Sequence, residues 1–266
     1  MSYFLRSAES LALQMITLGM NTFILEGAPG TGKTAFSSYV SQHLSAAYVY
    51  YQAHSWTTDE ELLRGLNIPK IVIGATEETE VTSPGVLWQV LELSKRGRVV
   101  LCLDELDKAP EKSEVLLLDF LQNFRIKTHD GQEVIGIKDN IIVFITSNNV
   151  RPLMEATYRR GFRIKMEFLP PNVEADIIRK KSGQPKGVIR FIVRMMNAIR
   201  QNGCTSPSLQ EGINLALSLK AAKSVNDVGL LINGWLVKEE EEDTLALKEL
   251  GSCDSILWGE VNREKK

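Results

Sequence analysis

One glycine-rich segment limits the choice of fold more than the rest of the chain does, and its residues are Gly27-Ala28-Pro29-Gly30-Thr31-Gly32-Lys33-Thr34. It fits the pattern G-x-x-x-x-G-K-[ST], follows an apolar strand candidate at 22–25 and precedes a helical pattern at 33–44. Glycines at such a turn let backbone N–H groups wrap around phosphates, and the N-terminus of the following helix adds a favourable dipole. We therefore expect all eight residues to bind a nucleotide.

The side chains that end this segment suit a nucleotide bound with magnesium. Lys33 is expected to reach the β- and γ-phosphates, and the Thr34 hydroxyl to ligate Mg²⁺. Downstream, the strand candidate at 99–103 ends in two acids. Asp104 is the candidate Mg²⁺ partner, through water, and Glu105 the candidate general base. Acids at a helix N-terminus are the alternative interpretation, but a phosphate-binding segment upstream favours the metal site.

A third polar cluster follows the strand candidate at 141–145, where the sequence continues Thr146-Ser147-Asn148-Asn149. A polar side chain at this position suits the holding of an attacking water or of the γ-phosphate. An asparagine-rich turn from strand to loop explains the same residues equally well.

The first two-thirds of the chain alternates apolar runs with helical patterns, which predicts an α/β fold with three layers. The strand candidates are 22–25, 47–51, 99–103, 141–145 and 163–168, and the helix candidates are 33–44, 84–95 and 111–124. Asp130-Gly131 between 125–128 and 133–137 predicts a β-hairpin. The weakly patterned stretch 65–84, with Glu77, Glu78 and Glu80, is predicted to be a loop or a small insertion.

After Pro170-Pro171 the strand signals stop. Four amphipathic patterns, at 173–181, 185–202, 209–222 and 225–237, predict a second, all-helical domain that begins near residue 169. Residues 238–266 contain the acidic run 239–243 and lose periodicity. We expect residues 238–266 to form a C-terminal tail, and the acidic run to be a solvated helix face or tail rather than an interaction motif.

The composition is that of an ordinary globular chain. Among 266 residues, 44% are hydrophobic and 24% charged, which excludes a disordered or collagen-like protein. The formal net charge of −2 gives no strong overall attraction to nucleic acid or to a membrane surface. The cysteines, Cys102, Cys204 and Cys253, lack CxxC spacing and indicate reduced thiols in a cytosolic protein. The longest apolar runs have only the length of a strand, so no membrane span is expected.

Together these segments resemble the AAA+ ATPases, and more closely their MoxR-like and dynein-related branch. The resemblance covers roughly residues 8–222 and is carried by LEGAPGTGKT (25–34), CLDELDKAPEKSEVLLLDFLQ (102–122) and FITSNN (144–149). The hairpin at 125–137 is similar to the helix-2 insert of that branch.

The resemblance implies a P-loop NTPase αβα core over 1–168, with a parallel sheet of strand order 5-1-4-3-2. It also implies a helical lid over 169–237, with ATP and Mg²⁺ bound in a ring that is usually hexameric. It makes Asn148 the expected sensor residue and Asn149 the second choice.

The same resemblance implies that an arginine from a neighbouring subunit completes the site. The family's segment ends in Arg-Arg-Phe or Asp-Arg-Phe, and here 153–162 ends Arg159-Arg160-Gly161-Phe162. Arg160 is the first candidate for this arginine and Arg159 the second. Adjacent arginines before a strand also occur as a solvated or acid-paired surface.

The chain departs from the family in its lid. Family members commonly carry a second sensor arginine after a Ser-Pro pair, whereas here Ser206-Pro207 is followed by Ser208. The arginine is then missing unless Arg190 or Arg194, on the preceding helix, takes its place.

A loop with an aromatic residue follows the second strand, where AAA+ proteins often point a loop into the ring pore. Trp56 or His54 would then grip a substrate. More often such an aromatic packs on its own helix, here 59–64, and this interpretation is favoured.

The resemblance predicts an enzyme that hydrolyses ATP and remodels or matures a protein partner. One alternative is the motor subunit of a nucleic-acid-processing complex, as in McrB. Another is a nucleotide-gated assembly factor with little turnover, which the missing lid arginine supports. The locally basic first helices of the lid suit nucleic acid, but ordinary amphipathic faces explain them better.

Overall fold

The computed structural model describes residues 3–66, 82–127, 131, 133–238 and 240–263. It divides into two compact units, Met1–Gly27 with Gly32–Met166 and Ala28–Thr31 with Glu167–Lys266. The first unit carries the described strands, and the described secondary structure of the second is helical.

The strands are β1 (Thr22–Glu26), β2 (Ala47–Gln52), β3 (Arg64–Leu66), β4 (Thr82–Pro84), β5 (Val99–Asp104), β6 (Arg125–Lys127), β7 (Glu133–Ile135), β8 (Ile141–Ser147) and β9 (Phe162–Lys165). The helices of the first unit are α1 (Ser7–Thr17), α2 (Lys33–His43), α3 (Asp59–Leu62), α4 (Val86–Ser94), α5 (Glu111–Asn123) and α6 (Glu155–Tyr158). Short 3-10 turns occupy Leu106–Lys108 and Lys138–Asn140.

Five of these strands form a parallel sheet in the order β2-β5-β8-β1-β9. The labels differ from the expected order only because the two small antiparallel pairs, β3-β4 and β6-β7, also carry numbers. Counted among the sheet strands alone, the order is 5-1-4-3-2. Strands β1, β5 and β8 are buried along their whole length, and their central residues are apolar on both faces.

Helices cover the two faces of this sheet, which makes the first unit a three-layer αβα core. On one face Phe36 of α2 packs against Phe144, with ring centroids 5.4 Å apart. On the other face Leu87 of α4 and Leu117 of α5 join a second apolar cluster with Leu101. Because all five strands run in parallel, their carboxyl ends lie at one edge of the sheet, which is where α/β proteins bind ligands.

The hairpin predicted near 125–137 is present as the β6-β7 pair, and part of its turn, 128–130 and 132, lies outside the described residues. In the stretch predicted to be a loop, β3 and β4 pair antiparallel. The acids Glu77, Glu78 and Glu80 lie outside the described residues.

The helices of the second unit are α7 (Pro171–Ser182), α8 (Lys186–Asn202), α9 (Leu209–Ser218), α10 (Val225–Leu236), α11 (Glu240–Lys248) and α12 (Cys253–Arg263). The tail predicted for 238–266 is wrong, because α11 and α12 lie within it. Cys253, Leu257 and Val261 are buried in the apolar cluster of this unit. Their i, i+4, i+8 spacing forms a stripe one residue wide, too narrow to stand out against the polar residues around it.

Within the described ranges, every helix is too short or too polar to cross a lipid bilayer.

Candidate nucleotide-binding site

The glycine-rich turn leaves the end of β1 at a point that only glycine fits. A Cβ on Gly27 would lie 2.1 Å from the carbonyl oxygen of Met166. Gly30 and Gly32 have φ of +80° and +95°, a left-handed conformation that glycine adopts without steric cost. Between them, Thr31 closes the turn by donating its hydroxyl to the Ala28 carbonyl at 2.9 Å. These constraints account for the glycines of the turn.

Lys33, the first residue of α2, folds back into this turn. Its Nζ donates to the Gly27 carbonyl at 2.7 Å. Burial lowers the pKa of Lys33, and the nearby carboxylates of Asp104, Asp107 and Glu105 oppose that shift. The ammonium group is therefore held in the turn among acids, where an anionic phosphate would relieve its desolvation.

The Asp104 carboxylate, at the end of β5, accepts hydrogen bonds from α2 and from the two neighbouring strands β2 and β8. Its Oδ1 accepts hydrogen bonds from the hydroxyls of Thr34, at 2.8 Å, and Thr146, at 2.7 Å. Its Oδ2 accepts from the hydroxyl of Tyr50 at 2.9 Å. Hydroxyl and carboxylate oxygens are the ligands that Mg²⁺ takes in proteins, directly or through water. Thr34 and Asp104 therefore form a donor set that fits the metal ion.

Glu105 is presented by an unusual backbone. Its φ of 54° and ψ of 43° place a non-glycine residue in the left-handed region, a strain that occurs mostly at functional sites. The Asn148 side-chain amide donates to Oε1 at 2.8 Å. Gln52 and Lys108 donate to Oε2 at 3.0 and 2.8 Å.

These neighbours decide the charge of Glu105. Its partial burial raises the pKa, but the hydrogen bonds and charge of Lys108, with the amides of Gln52 and Asn148, outweigh burial, and the pKa lies below the ordinary value. Glu105 is consequently a carboxylate near neutral pH, the form that accepts a proton.

The structure separates the two candidate sensor asparagines. Asn148 bonds Glu105 through its side chain, and its backbone N–H donates to Oδ2 of Asp107 at 3.0 Å. Asn149 has a φ of 60° and turns the chain, with its N–H donating to the Ser147 hydroxyl at 3.0 Å.

Several side chains that contact this site were not identified from the sequence. They are Tyr50, Gln52, Lys108 and Asp107, together with Thr146, whose hydroxyl donates to Asp104. Tyr50 and Gln52 lie near the carboxyl end of β2. That position was the available signal, because residues near the ends of parallel strands share one edge of the sheet.

The two candidate arginines have different surroundings. The Arg160 guanidinium donates to the carbonyls of Leu118, at 3.0 Å, and Ala156, at 2.7 Å, and to Oε1 of Gln122 at 2.9 Å. The Arg159 side chain is 74% exposed and pairs with Glu155. Arg160 therefore holds α5 and α6 together, and Arg159 is the arginine that remains accessible.

Trp56 does not pack on its own helix, and the favoured interpretation of this residue is wrong. Its side chain is 76% exposed. The buried Thr57 secures the loop instead, because its hydroxyl accepts from the Tyr51 hydroxyl at 3.1 Å and from the His54 N–H at 3.0 Å. The loop thus presents an indole ring from a fixed backbone.

Ser208, at the position of the missing lid arginine, caps α9 by accepting a hydrogen bond from the Glu211 N–H at 3.3 Å. Arg190 and Arg194 are exposed on α8.

Comparison with known proteins agrees with this geometry. The family model described as AAA domain (dynein-related subfamily) matches residues 22–161, just over half of the chain. Two solved structures of RuvB mutants from Thermotoga maritima are similar in fold, at 15% and 16% sequence identity and TM-scores of 0.53 and 0.52. These alignments cover 91% of this chain and 68% and 67% of the RuvB chains. Comparison with curated protein sequences gives no match.

Proposed function

This chain belongs to the dynein-related subfamily of AAA domains and is an ATPase of the AAA+ type, and from this premise we propose that it works as a ring. In this proposal ATP and Mg²⁺ bind at interfaces between subunits, and the motion that accompanies hydrolysis remodels or matures a protein partner.

The observation that carries the hydrolytic part of the proposal is that two carboxylates with different roles are adjacent at the end of β5. Asp104 is tied to Thr34 on α2, and the next residue, Glu105, is tied to Asn148 at the end of β8. A metal-binding carboxylate and a proton-accepting carboxylate are therefore adjacent, each held by a separate element.

The residues of the chain divide the chemical work. Backbone N–H groups of the turn and the Lys33 ammonium bind the phosphates. Thr34 and Asp104 would hold Mg²⁺, which would supply neutralisation of the charge on the phosphate oxygens. Glu105 accepts the proton of the attacking water, and Asn148 keeps the Glu105 carboxylate oriented.

An arginine of the neighbouring subunit completes the site by stabilising the charge of the transferring phosphoryl group. We assign this role to Arg159, because Arg160 is committed to contacts within its own subunit. Trp56 is the residue proposed to contact the protein partner, since it is a large apolar side chain held exposed on a fixed loop.

A second candidate function is a nucleotide-gated assembly factor with little turnover. The ion pair between Lys108 and Glu105, at 2.8 Å, favours it, because the pair occupies one oxygen of the general base. Lys108→Met distinguishes the two functions. If the chain is a motor, the ATPase activity of this variant falls or stays unchanged. If it is an assembly factor restrained by this ion pair, the ATPase activity rises when Lys108 is removed.

Specific ATPase activity measured across a range of protein concentrations tests the main proposal. Activity per subunit that rises with concentration, and is lost in Arg159→Ala, supports a site shared between subunits. Activity that is independent of concentration and unchanged in Arg159→Ala contradicts it. Glu105→Gln is the control that keeps ATP binding and removes turnover.

A further inference from the structure

One continuous segment connects the residue that touches the general base to the arginine assigned to the neighbour. It runs from Asn148 through the short helix α6 to Arg159, and we name residues 148–158 the connecting segment. Helix α6 has only four residues, which is too short to be stable without tertiary contacts. The connecting segment must therefore be held by its surroundings.

Asp107 holds the first part of the connecting segment. It lies in the 3-10 turn after Glu105 and is buried. Its Oδ2 accepts the backbone N–H groups of Asn148, at 3.0 Å, and Val150, at 2.8 Å. These two bonds fix the backbone from which the Asn148 side chain reaches Glu105.

Glu114 holds the second part. It lies in the first turn of α5 and is fully buried. Its Oε1 accepts from Nη1 of Arg151 at 2.5 Å, and its Oε2 accepts from the Met154 N–H at 2.8 Å and the Thr157 hydroxyl at 2.9 Å. One carboxylate thus binds the loop, the start and the interior of α6.

The same helix, α5, also receives the Arg160 guanidinium through Leu118 and Gln122. Arg159 therefore projects from a short helix that is attached to α5 on both sides, by Glu114 before it and by Arg160 after it. Helix α6 is only about one turn long and depends on these contacts. The loss of the Glu114 hydrogen bonds should therefore let Arg159 move relative to α5.

From this arrangement we propose that Glu114 is a positioning residue for Arg159 and so serves the active site of the neighbouring subunit, whereas Asp107 positions Asn148 and serves the site of its own subunit. This inference rests on the proposed function, since it requires Arg159 to act between subunits. It assigns two buried carboxylates on one stretch of chain to two different active sites.

Turnover of single variants is the first measurement. Glu114→Gln keeps the size of the side chain and removes its charge. We expect kcat to fall roughly 10- to 100-fold with the KM for ATP unchanged, because misplacement of a distant catalytic group affects the transition state. Wild-type turnover in Glu114→Gln would overturn the proposal.

Mixing the subunits of two variants distinguishes a defect in a subunit's own active site from a defect in the arginine that it supplies to its neighbour. Glu105→Gln subunits have an inactive site and an intact Arg159. Added to Glu114→Gln, they should restore turnover, because they supply a well-placed arginine to its intact site. Added to Asp107→Asn they should not, because the defect of that variant lies in its own site. Arg159→Ala subunits should restore turnover when they are added to Asp107→Asn, and should not restore it when they are added to Glu114→Gln.

A mixture of Arg159→Ala and Glu105→Gln is the control for the premise. If this mixture stays inactive, the shared site fails and the role of Glu114 fails with it. If it regains activity but Glu114→Gln with Glu105→Gln does not, the proposal for Glu114 alone is overturned. Should Glu114→Gln not fold, Thr157→Val removes one of the same bonds, and the same pattern of restoration with a smaller loss is expected.

Discussion

Each unit of the molecule contains an ion pair between a buried glutamate and an arginine, and the two pairs are organised in opposite ways. In the first unit the glutamate is the centre: Glu114 binds Arg151 and two further groups of the connecting segment. In the second unit the arginine is the centre: Arg200 donates to both oxygens of Glu174, at 2.9 and 3.0 Å, and to the Pro207 carbonyl at 2.8 Å.

The two ion pairs differ in which part of the molecule their hydrogen bonds hold in place. Arg200 also lies over the Phe168 ring, 3.9 Å from its centroid, so its bonds end within the fold of its own unit. The bonds of Glu114 end on a segment that carries exposed Arg159. Breaking a buried pair costs stability in either place, but only the first pair should also change catalysis. Variants of the first pair are therefore expected to alter turnover as well as stability, and variants of the second pair to alter stability alone.

The largest effect should come from Arg159. Arg159→Ala is expected to lower kcat by about 10³- to 10⁵-fold, the contribution of an arginine that stabilises phosphoryl transfer. Its exposed side chain contributes little to folding, so the midpoint of thermal unfolding should stay near the wild-type value. Arg160→Ala should instead lower the unfolding midpoint, because three hydrogen bonds to α5 and α6 are lost. A stable Arg160→Ala protein would contradict this division.

The next effect should appear in the second unit. Glu174→Gln leaves the buried Arg200 without its carboxylate, and we expect a loss of about 3–5 kcal/mol in the free energy of unfolding. Denaturant titration measures this loss. Turnover per folded molecule should not change; a fall in kcat at full folding would break the comparison. Arg194→Met, at an exposed position of α8, the helix that carries Arg200, is the control and should change stability by less than about 0.5 kcal/mol.

A smaller effect is expected at the metal site. Tyr50→Phe removes the hydroxyl that donates to Oδ2 of Asp104 and leaves the ring. The concentration of Mg²⁺ for half-maximal turnover should rise about two- to tenfold, which corresponds to one hydrogen bond. Tyr48→Phe is the control, because the Tyr48 hydroxyl pairs with Ser37 instead. Equal effects in both variants would show that Tyr50 does not act through Asp104.

The smallest effect concerns pH and the second unit. Partial burial raises the pKa of Glu211, but the ion pair with Lys238 and the hydrogen bonds from Ser208 outweigh it, and the pKa lies below the ordinary value. Glu211 therefore stabilises the fold above its ordinary pKa, and this contribution is lost as the pH falls through the lowered value. Thermal unfolding of wild type and Glu211→Gln should differ at neutral pH and converge in acid. A difference that persists in acid would contradict this assignment.

Sequence reasoning succeeded where local pattern and chemistry agree. The glycine-rich turn, the two acids at the end of β5 and the asparagine after β8 each follow an apolar run that forms a strand. It could not decide between two neighbouring side chains that have the same chemistry. Arg159 and Arg160 are identical neighbours, and only the position of α5 determines which guanidinium finds carbonyl partners. Trp56 is a further case, since the Thr57 hydroxyl that secures its loop bonds Tyr51 of β2 and the His54 N–H.

The sequence by itself determined the class of fold, the nucleotide-binding turn and the candidate residues at strand ends, because backbone preferences and apolar periodicity act over a few residues. Tertiary structure alone decided which of those residues meet. It brought Tyr50 and Gln52 of β2 to the acids at the end of β5, and Glu114 of α5 to a segment that follows β8. These contacts depend on the order of the strands in the sheet and on the packing of helices against it, which bring together residues that are far apart in the chain.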